Sequence, residues 1–448
     1  MKTKLNKELW RSLCRTFPQQ EGLEQLLLLA QHHNGYKRQK AVIELGLRGN
    51  PMALPILIHR INDWVPQVRQ TAAESLLQLL SSKNAQAFVL CLPDLYHLKH
   101  CARSDHELLI SRVIDFLVQA NNADCIRSAI NNEDPLTARI AMQLCFAYQL
   151  LDKQQLVAMA LSHNDIVIRK KVVNYLSDFS GEVLDSFLKK AMQDPYMPIR
   201  REALQIILRE RPEQSLPIAE KCLFDRHYAI RTIAIKHLLK NAFNVQQHLI
   251  QVLLLSKQSA LKLRCAILGL AELDAKQSIA LIEKHSSHLL PSIRKAVLQA
   301  LSKLTGEQSL PYLITGLQDA SPAVAKEASR LINKLNIHLP IELLIELIKE
   351  NRYSHTLMIC LASAKKINKW NRLLLLLKIL NLNNKSSSKT LYINIIDYEL
   401  TKWHSTFNRS SSQPSKMQIE CILIEFKQAK ALLNKEEKLF LEFTIKGF

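Results

Sequence analysis

DWVPQVRQTAAESL, residues 63–76, is the stretch that decides the fold. It places an Asp six residues before an Arg, a Pro three before it and an apolar residue just before it; Ala follows three after and Leu seven after. Take Arg69 as position zero. The same frame returns at Arg38, Arg139, Arg169, Arg200, Arg231, Arg264 and Arg294, mostly 30 to 33 residues apart, and at Ala325 with Ala in place of the Arg. A period of this size marks a stack of small units, none of which buries its apolar face alone.

Each position has a physical reading. Asp63, Asp194, Asp225 and Asp319, and likewise Glu133, lie at minus six. An acidic residue there suits a turn or a helix cap. Pro66, Pro291 and Pro322 lie at minus three, where a Pro opens a helix without losing a needed N–H. Val68, Ile168, Ile199, Ile230, Leu263, Ile293 and Val324 fill minus one. Ala41, Ala72, Ala203, Ala234 and Ala328 fill plus three, and Leu45, Leu76, Leu176, Leu238, Leu301 and Ile332 fill plus seven. That is one apolar stripe at helical spacing, with a small residue where a neighbouring helix comes close. Pro55, Pro217 and Pro311, in LPIL, LPIA and LPYL, sit 14 before position zero and mark a preceding helix. The expected fold is all-α: an α-solenoid of about ten stacked antiparallel helix pairs, each joined by a short Asp/Pro turn.

Over roughly residues 34–335 the pattern resembles the HEAT repeat, in the short bacterial form related to the phycobilisome-lyase repeats. The resemblance implies that the ladder Args bond to acidic groups or carbonyls of the adjacent repeat, a task suited to a planar five-donor fork. It also implies that the second helix of each pair lines the concave face. Lys170, Lys171, Arg201, Lys295 and Lys326 follow position zero closely, and Lys236 lies one turn further on. These residues, Lys326 aside, are the expected contacts for a partner.

The bulk properties agree with a stack. The chain has 448 residues, 48% of them hydrophobic, and only 9 Gly. Its net charge of +20 favours anionic partners without dictating fold. Nine Cys are scattered with no Cys-x-x-Cys. Several, such as Cys145 and Cys265, fall on apolar helical faces, which reads as free thiols in a reducing compartment. The charged N-terminus does not read as a signal peptide. The apolar runs at 26–30 and 373–377 are too short to span a membrane. The cytoplasm is the expected location.

Three segments are expected: an N-terminal helical cap at 1–33, the array at 34–335, and degenerate repeats with a C-terminal cap at 336–448. In the cap, Leu5, Leu9 and Leu13 form one apolar face and Leu23, Leu26, Leu27 and Ala30 another; Lys2, Lys4, Lys7, Arg11 and Arg15 read as a solvated face. The repeat at 81–120 is about ten residues too long. Position zero there falls on Ile110, and Leu109, Val113 and Leu117 fill the stripe. Its extra length gathers Cys91, His97, His100, Cys101 and His106, residue types that zinc prefers. Their spacing fits no common finger, and no metal is expected. The single His106-Glu107 pair also sets the chain apart from iron-dependent hydroxylases built on HEAT repeats. Beyond 335 the period fails; 383–389 and 409–416 read as linkers, with a helix between them.

No phosphate loop, nucleophile elbow or His-Glu-x-x-His is present. No catalytic residue and no cofactor is therefore assigned. Three functions follow: a non-catalytic scaffold binding an acidic protein partner on its curved surface; a nucleic-acid binder with a basic concave face, as in helical-repeat DNA glycosylases; or a lyase-like or accessory enzyme subunit. Few aromatics interleave with the basic residues, which weighs against base stacking.

Overall fold

The computed structural model describes residues 9, 13, 22–255, 258–350, 353–364, 367–383, 389–405 and 413–446. Among them there are helices and no strand. The chain divides into two compact units, Met1–Ser215 and Leu216–Phe448. The first holds α1 (Leu23–Leu29), α2 (Gly35–Arg48), α3 (Leu54–Ile61), α4 (Pro66–Gln78), α5 (Ala85–Leu90), α6 (Leu92–His97), α7 (Glu107–Leu117), α8 (Ala123–Ala129), α9 (Pro135–Ala147), α10 (Lys153–Ser162), α11 (Ile166–Val172), α12 (Gly181–Met192) and α13 (Met197–Glu210). The division falls within α14 (Pro212–Cys222). The second unit continues with α15 (Tyr228–Lys240), α16 (Val245–Leu254), α17 (Ala260–Glu272), α18 (Ile279–Glu283), α19 (Pro291–Thr305), α20 (Leu310–Leu317), α21 (Pro322–Lys334), α22 (Ile341–Lys349), α23 (Ser354–Ser363), α24 (Lys369–Asn383), α25 (Lys389–Ser405), α26 (Lys416–Ala429) and α27 (Lys435–Lys446).

The second helices of the repeats are α2, α4, α9, α11 and α13 in the first unit and α15, α17, α19 and α21 in the second. Their minus-one, plus-three and plus-seven side chains are buried, from Val68, Ala72 and Leu76 on α4 to Val324, Ala328 and Ile332 on α21, except for exposed Lys37 on α2 and half-buried Phe146 on α9. Pro66, Pro291 and Pro322 open α4, α19 and α21, as their spacing suggests. Pro55 and Pro311 likewise sit in the first turn of α3 and α20, but Pro217 lies inside α14. One close approach is between α2 and α4. A Cβ on Gly46 would stand 2.7 Å from the Cβ of Ser75, so only Gly fits there without displacement.

The acidic residues at minus six make turns rather than caps. The carboxylates of Asp63, Asp194, Asp225 and Asp319 each accept the backbone N–H two residues on. That closes an Asx turn ahead of the helix. In the repeat of Arg139 the work passes from Glu133 to Asp134, which caps α9 by accepting from Thr137 N–H at 2.8 Å. Several second helices stop in a left-handed residue that is not Gly: Gln149, Ala242, Asp274 and Asn336 have φ of 53–58°. A helix normally spends a Gly at such a stop, so the low Gly count is compatible with many helix ends.

The long repeat keeps its helices and adds a loop. Its first helix is broken into α5 and α6, a 3-10 turn follows at Leu98–His100, and residues 101–106 are non-helical. The buried stripe of α7 is Ile110, Val113, Ile114 and Leu117; Leu109 is only half-buried, because the register turns by one residue. At the N-terminal end Leu13, Leu23, Leu27 and Ala30 are buried. Leu5 and the basic residues from Lys2 to Arg15 lie outside the described residues, as do 384–388 and 409–412 of the two linker-like stretches.

Beyond Leu335 the helices persist although the period does not. In α24 Leu373, Leu375, Leu376 and Leu377 are all buried, so this helix is covered nearly all round and has no single apolar stripe. Its core includes Trp370 and Trp403, whose rings meet edge-on at 6.0 Å, and Phe440 from α27. The stretch 391–403 is helical, within α25.

Candidate partner-binding surface

The ladder Args hold successive repeats together by one recurring geometry. Arg38 Nε and Nη2 donate to the Asp63 carboxylate at 2.9 and 2.6 Å, and Nη1 donates to the His32 and His33 carbonyls, both at 2.9 Å. Arg169 repeats this with Asp194 and with the carbonyls of His163 and Asn164. Arg294 repeats it with Asp319 and with those of His288 and Leu289. Arg139 bonds Asp165 at 2.7 and 3.0 Å. One edge of the fork therefore closes the turn of its own repeat, and the other grips a carboxylate 25 or 26 residues ahead. Burial pushes the Asp63 and Asp319 carboxyls up, but their Arg partners and turn N–H groups outweigh it and hold both below the ordinary carboxylate range. The hydrogen bond from Arg139 does the same for Asp165.

The ladder departs from this geometry in several places. Arg69 bonds only the carbonyls of Asp63 and Trp64, at 2.8 and 3.2 Å. Arg200 is no such departure: it is buried, and its Nη1 donates to the carbonyls of Asp194 and Pro195 as in the regular rungs. Arg231 turns to Glu272 at 3.0 Å and to the Asp225 carbonyl. Arg264 makes no hydrogen bond or ion pair among the described residues; the residue 25 ahead of it is Leu289. Arg169→Ala is expected to cost about 1–3 kcal/mol, since it strands Asp194. Arg264→Ala should stay within about 0.5 kcal/mol of wild type. Denaturant melts of both variants check the contrast, and equal losses would refute it.

Two open grooves lie along the second helices. One, in the first unit, is about 980 Å³ and takes in Lys171 with Arg139, Lys153 and a stacked Phe146–Tyr175 pair. The other, in the second unit, is about 790 Å³ and takes in residues of α15, α17, α19 and α21. Lys236 lines it, together with Arg264, Lys303, Arg330 and Lys334. Lys170 and Arg201 are exposed but line neither groove, and half-buried Lys295 lines neither. The groove cations of α15, α19 and α21 thus stand at plus five and plus nine, not directly after position zero. Lys303 and Lys334, 31 residues apart, carried that signal in the sequence.

The Cys and His residues of the long repeat do not converge. Cys91 is buried, which pushes its thiol well up; His97 and His100 are exposed, and Cys101 is half-buried. His106 is buried with Nε2 unpartnered, and burial lowers its basicity. No group of three or more His, Cys, Asp or Glu among the described residues is placed to hold a metal ion. The loop has a different role. Arg103 reaches back to the Asn62 carbonyl at 2.9 Å and over the Trp64 ring at 5.5 Å, covering the turn of the preceding repeat. Buried thiols occur elsewhere too, with Cys145 pushed up to about 11 and Cys360 to about 12 by burial. No helix among the described residues is long and apolar enough to cross a membrane.

Helix pairs tied by Arg–Asp rungs and flanked by open grooves define an α-solenoid. Within that class the chain is similar to HEAT-repeat proteins: a family model described as HEAT repeats matches residues 21–110 and 246–332. No curated protein matches it. Similar solved structures include Escherichia coli YibA, at 16% identity over 75% of this chain and 98% of that one, with a TM-score of 0.23. Kap95p, solved with RanGDP, is 12% identical over 95% of this chain and 67% of its own, with a TM-score of 0.35. The CpcE–CpcF phycocyanin lyase of Nostoc is 15% identical over 62% and 94%, with a TM-score of 0.20. At these scores they assign no activity and no partner.

Proposed function

We propose that this chain is a non-catalytic cytoplasmic scaffold that holds an acidic protein partner on the face formed by its second helices, with Lys170, Lys171, Arg201, Lys236 and Lys295 among the contacts. One observation carries the reading. Large apolar side chains stand exposed at one place in successive repeats, two to five residues before position zero: Tyr36, Leu136, Ile166 and Tyr196 in the first unit, and Tyr228, Leu261 and Leu289 in the second. Apolar side chains set out repeatedly beside cations suit a protein surface, which supplies both contacts. A nucleic-acid backbone would leave the Leu and Ile without a partner.

The test is capture of partners from native lysate, with and without nuclease. Capture should survive nuclease. It should fall for Leu136→Ser with Ile166→Ser, and form more slowly for Lys171→Glu with Arg201→Glu, while melting barely changes. Loss of the captured material on nuclease treatment would overturn the protein reading.

A further inference from the structure

We propose that the groove of α15, α17, α19 and α21 is the seat of one extended acidic peptide segment, its carboxylates on the cations and its apolar side chains against Ile235, Leu239 and Leu268. This deepens the scaffold reading and rests on it. Lys236, Arg264, Lys303 and Lys334 all line the groove, and none has a hydrogen bond or ion pair among the described residues. The one acidic residue lining it, Glu272, is bonded to Arg231 through Oε1, and its Oε2 is buried without a partner. Unpaired cations gathered in a concavity repel one another and are relieved by an anion.

A second observation lies at the groove floor. Arg231 is 3% exposed, donates through Nη1 and Nη2, and leaves Nε with no partner. A buried donor without an acceptor is costly, but this one is closed to solvent, so the contacts open to an entering carboxylate are the exposed Lys236 and Lys334. The aliphatic wall selects the kind of anion. Leu239 is half-exposed on α15, and the only large aromatic in the groove, Tyr228, is already stacked on His227 with ring centroids 5.2 Å apart. Bases would find one occupied platform, whereas Leu or Val side chains find several partners. Four helices at the usual spacing of packed neighbours span about 27 Å, the length of roughly eight extended residues.

The test is fluorescence anisotropy on the full chain with a labelled octapeptide of alternating Glu and Leu, against an alternating Lys–Leu octapeptide and labelled oligothymidylate. The acidic peptide should bind saturably and more weakly as salt rises. Lys236→Glu with Lys334→Glu, both exposed, should raise Kd about tenfold or more with melting unchanged. No saturable binding, equal binding of the Lys–Leu peptide, an unaffected double variant, or tighter oligothymidylate binding would each overturn the proposal. If peptide binding fails while lysate capture persists through nuclease, the groove assignment falls and the scaffold stands. If capture is lost to nuclease, the scaffold reading falls as well.

Discussion

Asp63→Ala is expected to cost about 3–5 kcal/mol, the range for stripping one partner from a buried ion pair. The Asp63 side chain has no exposed surface. It accepts two bonds from Arg38, one from Arg60 at 2.7 Å and one from the Val65 N–H at 3.0 Å. Its removal leaves two buried guanidiniums facing each other, and Arg60 Nε already has no partner. The loss should depend on pH in a definite sense. The folded carboxyl titrates below its unfolded value. Its contribution is therefore full above about pH 4, where the unfolded Asp is ionised, and fades as the pH falls through the lower folded value. Urea melts at pH 7 should separate wild type from variant widely, and melts near pH 3 less so. Hydrogen exchange should place the damage in 35–78. A variant within about 0.5 kcal/mol at pH 7 would show that the rung is not a structural tie.

Trp403→Ala should be comparably damaging, at about 3–5 kcal/mol. The indole is 2% exposed, meets Trp370 and Phe440 edge-on, and donates Nε1–H to the Lys369 carbonyl at 2.8 Å. Truncation opens a cavity among α24, α25 and α27 and removes that hydrogen bond. Trp403→Phe should recover most of the packing and lose about 1 kcal/mol for the hydrogen bond. Thermal melts of both variants decide the matter: an alanine variant melting like wild type would mean that this aromatic core does not support the C-terminal helices.

The array was legible because its information is periodic. An apolar minus one, Ala at plus three and Leu at plus seven point to one buried stripe, and every such side chain is buried. The carboxylate 25 residues ahead of Arg38, Arg169 and Arg294 was open to the same arithmetic, as was its absence ahead of Arg264. Of the groove cations Lys236 was legible at plus five, whereas Lys303 and Lys334 stand two turns further on than the residues directly after position zero, on the same side of their helices, because plus five and plus nine fall between plus one and plus two at 3.6 residues per turn. The region beyond 335 lost its pattern for a physical reason. A helix buried nearly all round, such as α24, has no polar face to set a period. The contact of Arg103 with Asn62 joins residues 41 apart through a loop, and no spacing rule anticipates it.

The Arg–Asp rungs also bear on how the chain reaches its fold. Each closes a loop of only 25 or 26 residues, and contacts so near in sequence form early and at small entropic cost. Structure in such an array spreads from one repeat to its neighbour rather than condensing everywhere together. In the second unit the Arg294–Asp319 pair provides a starting point of this kind. Growth from it toward α17 meets Arg264, which makes no rung among the described residues, so that step lacks the Arg–Asp tie and is where zippering should slow.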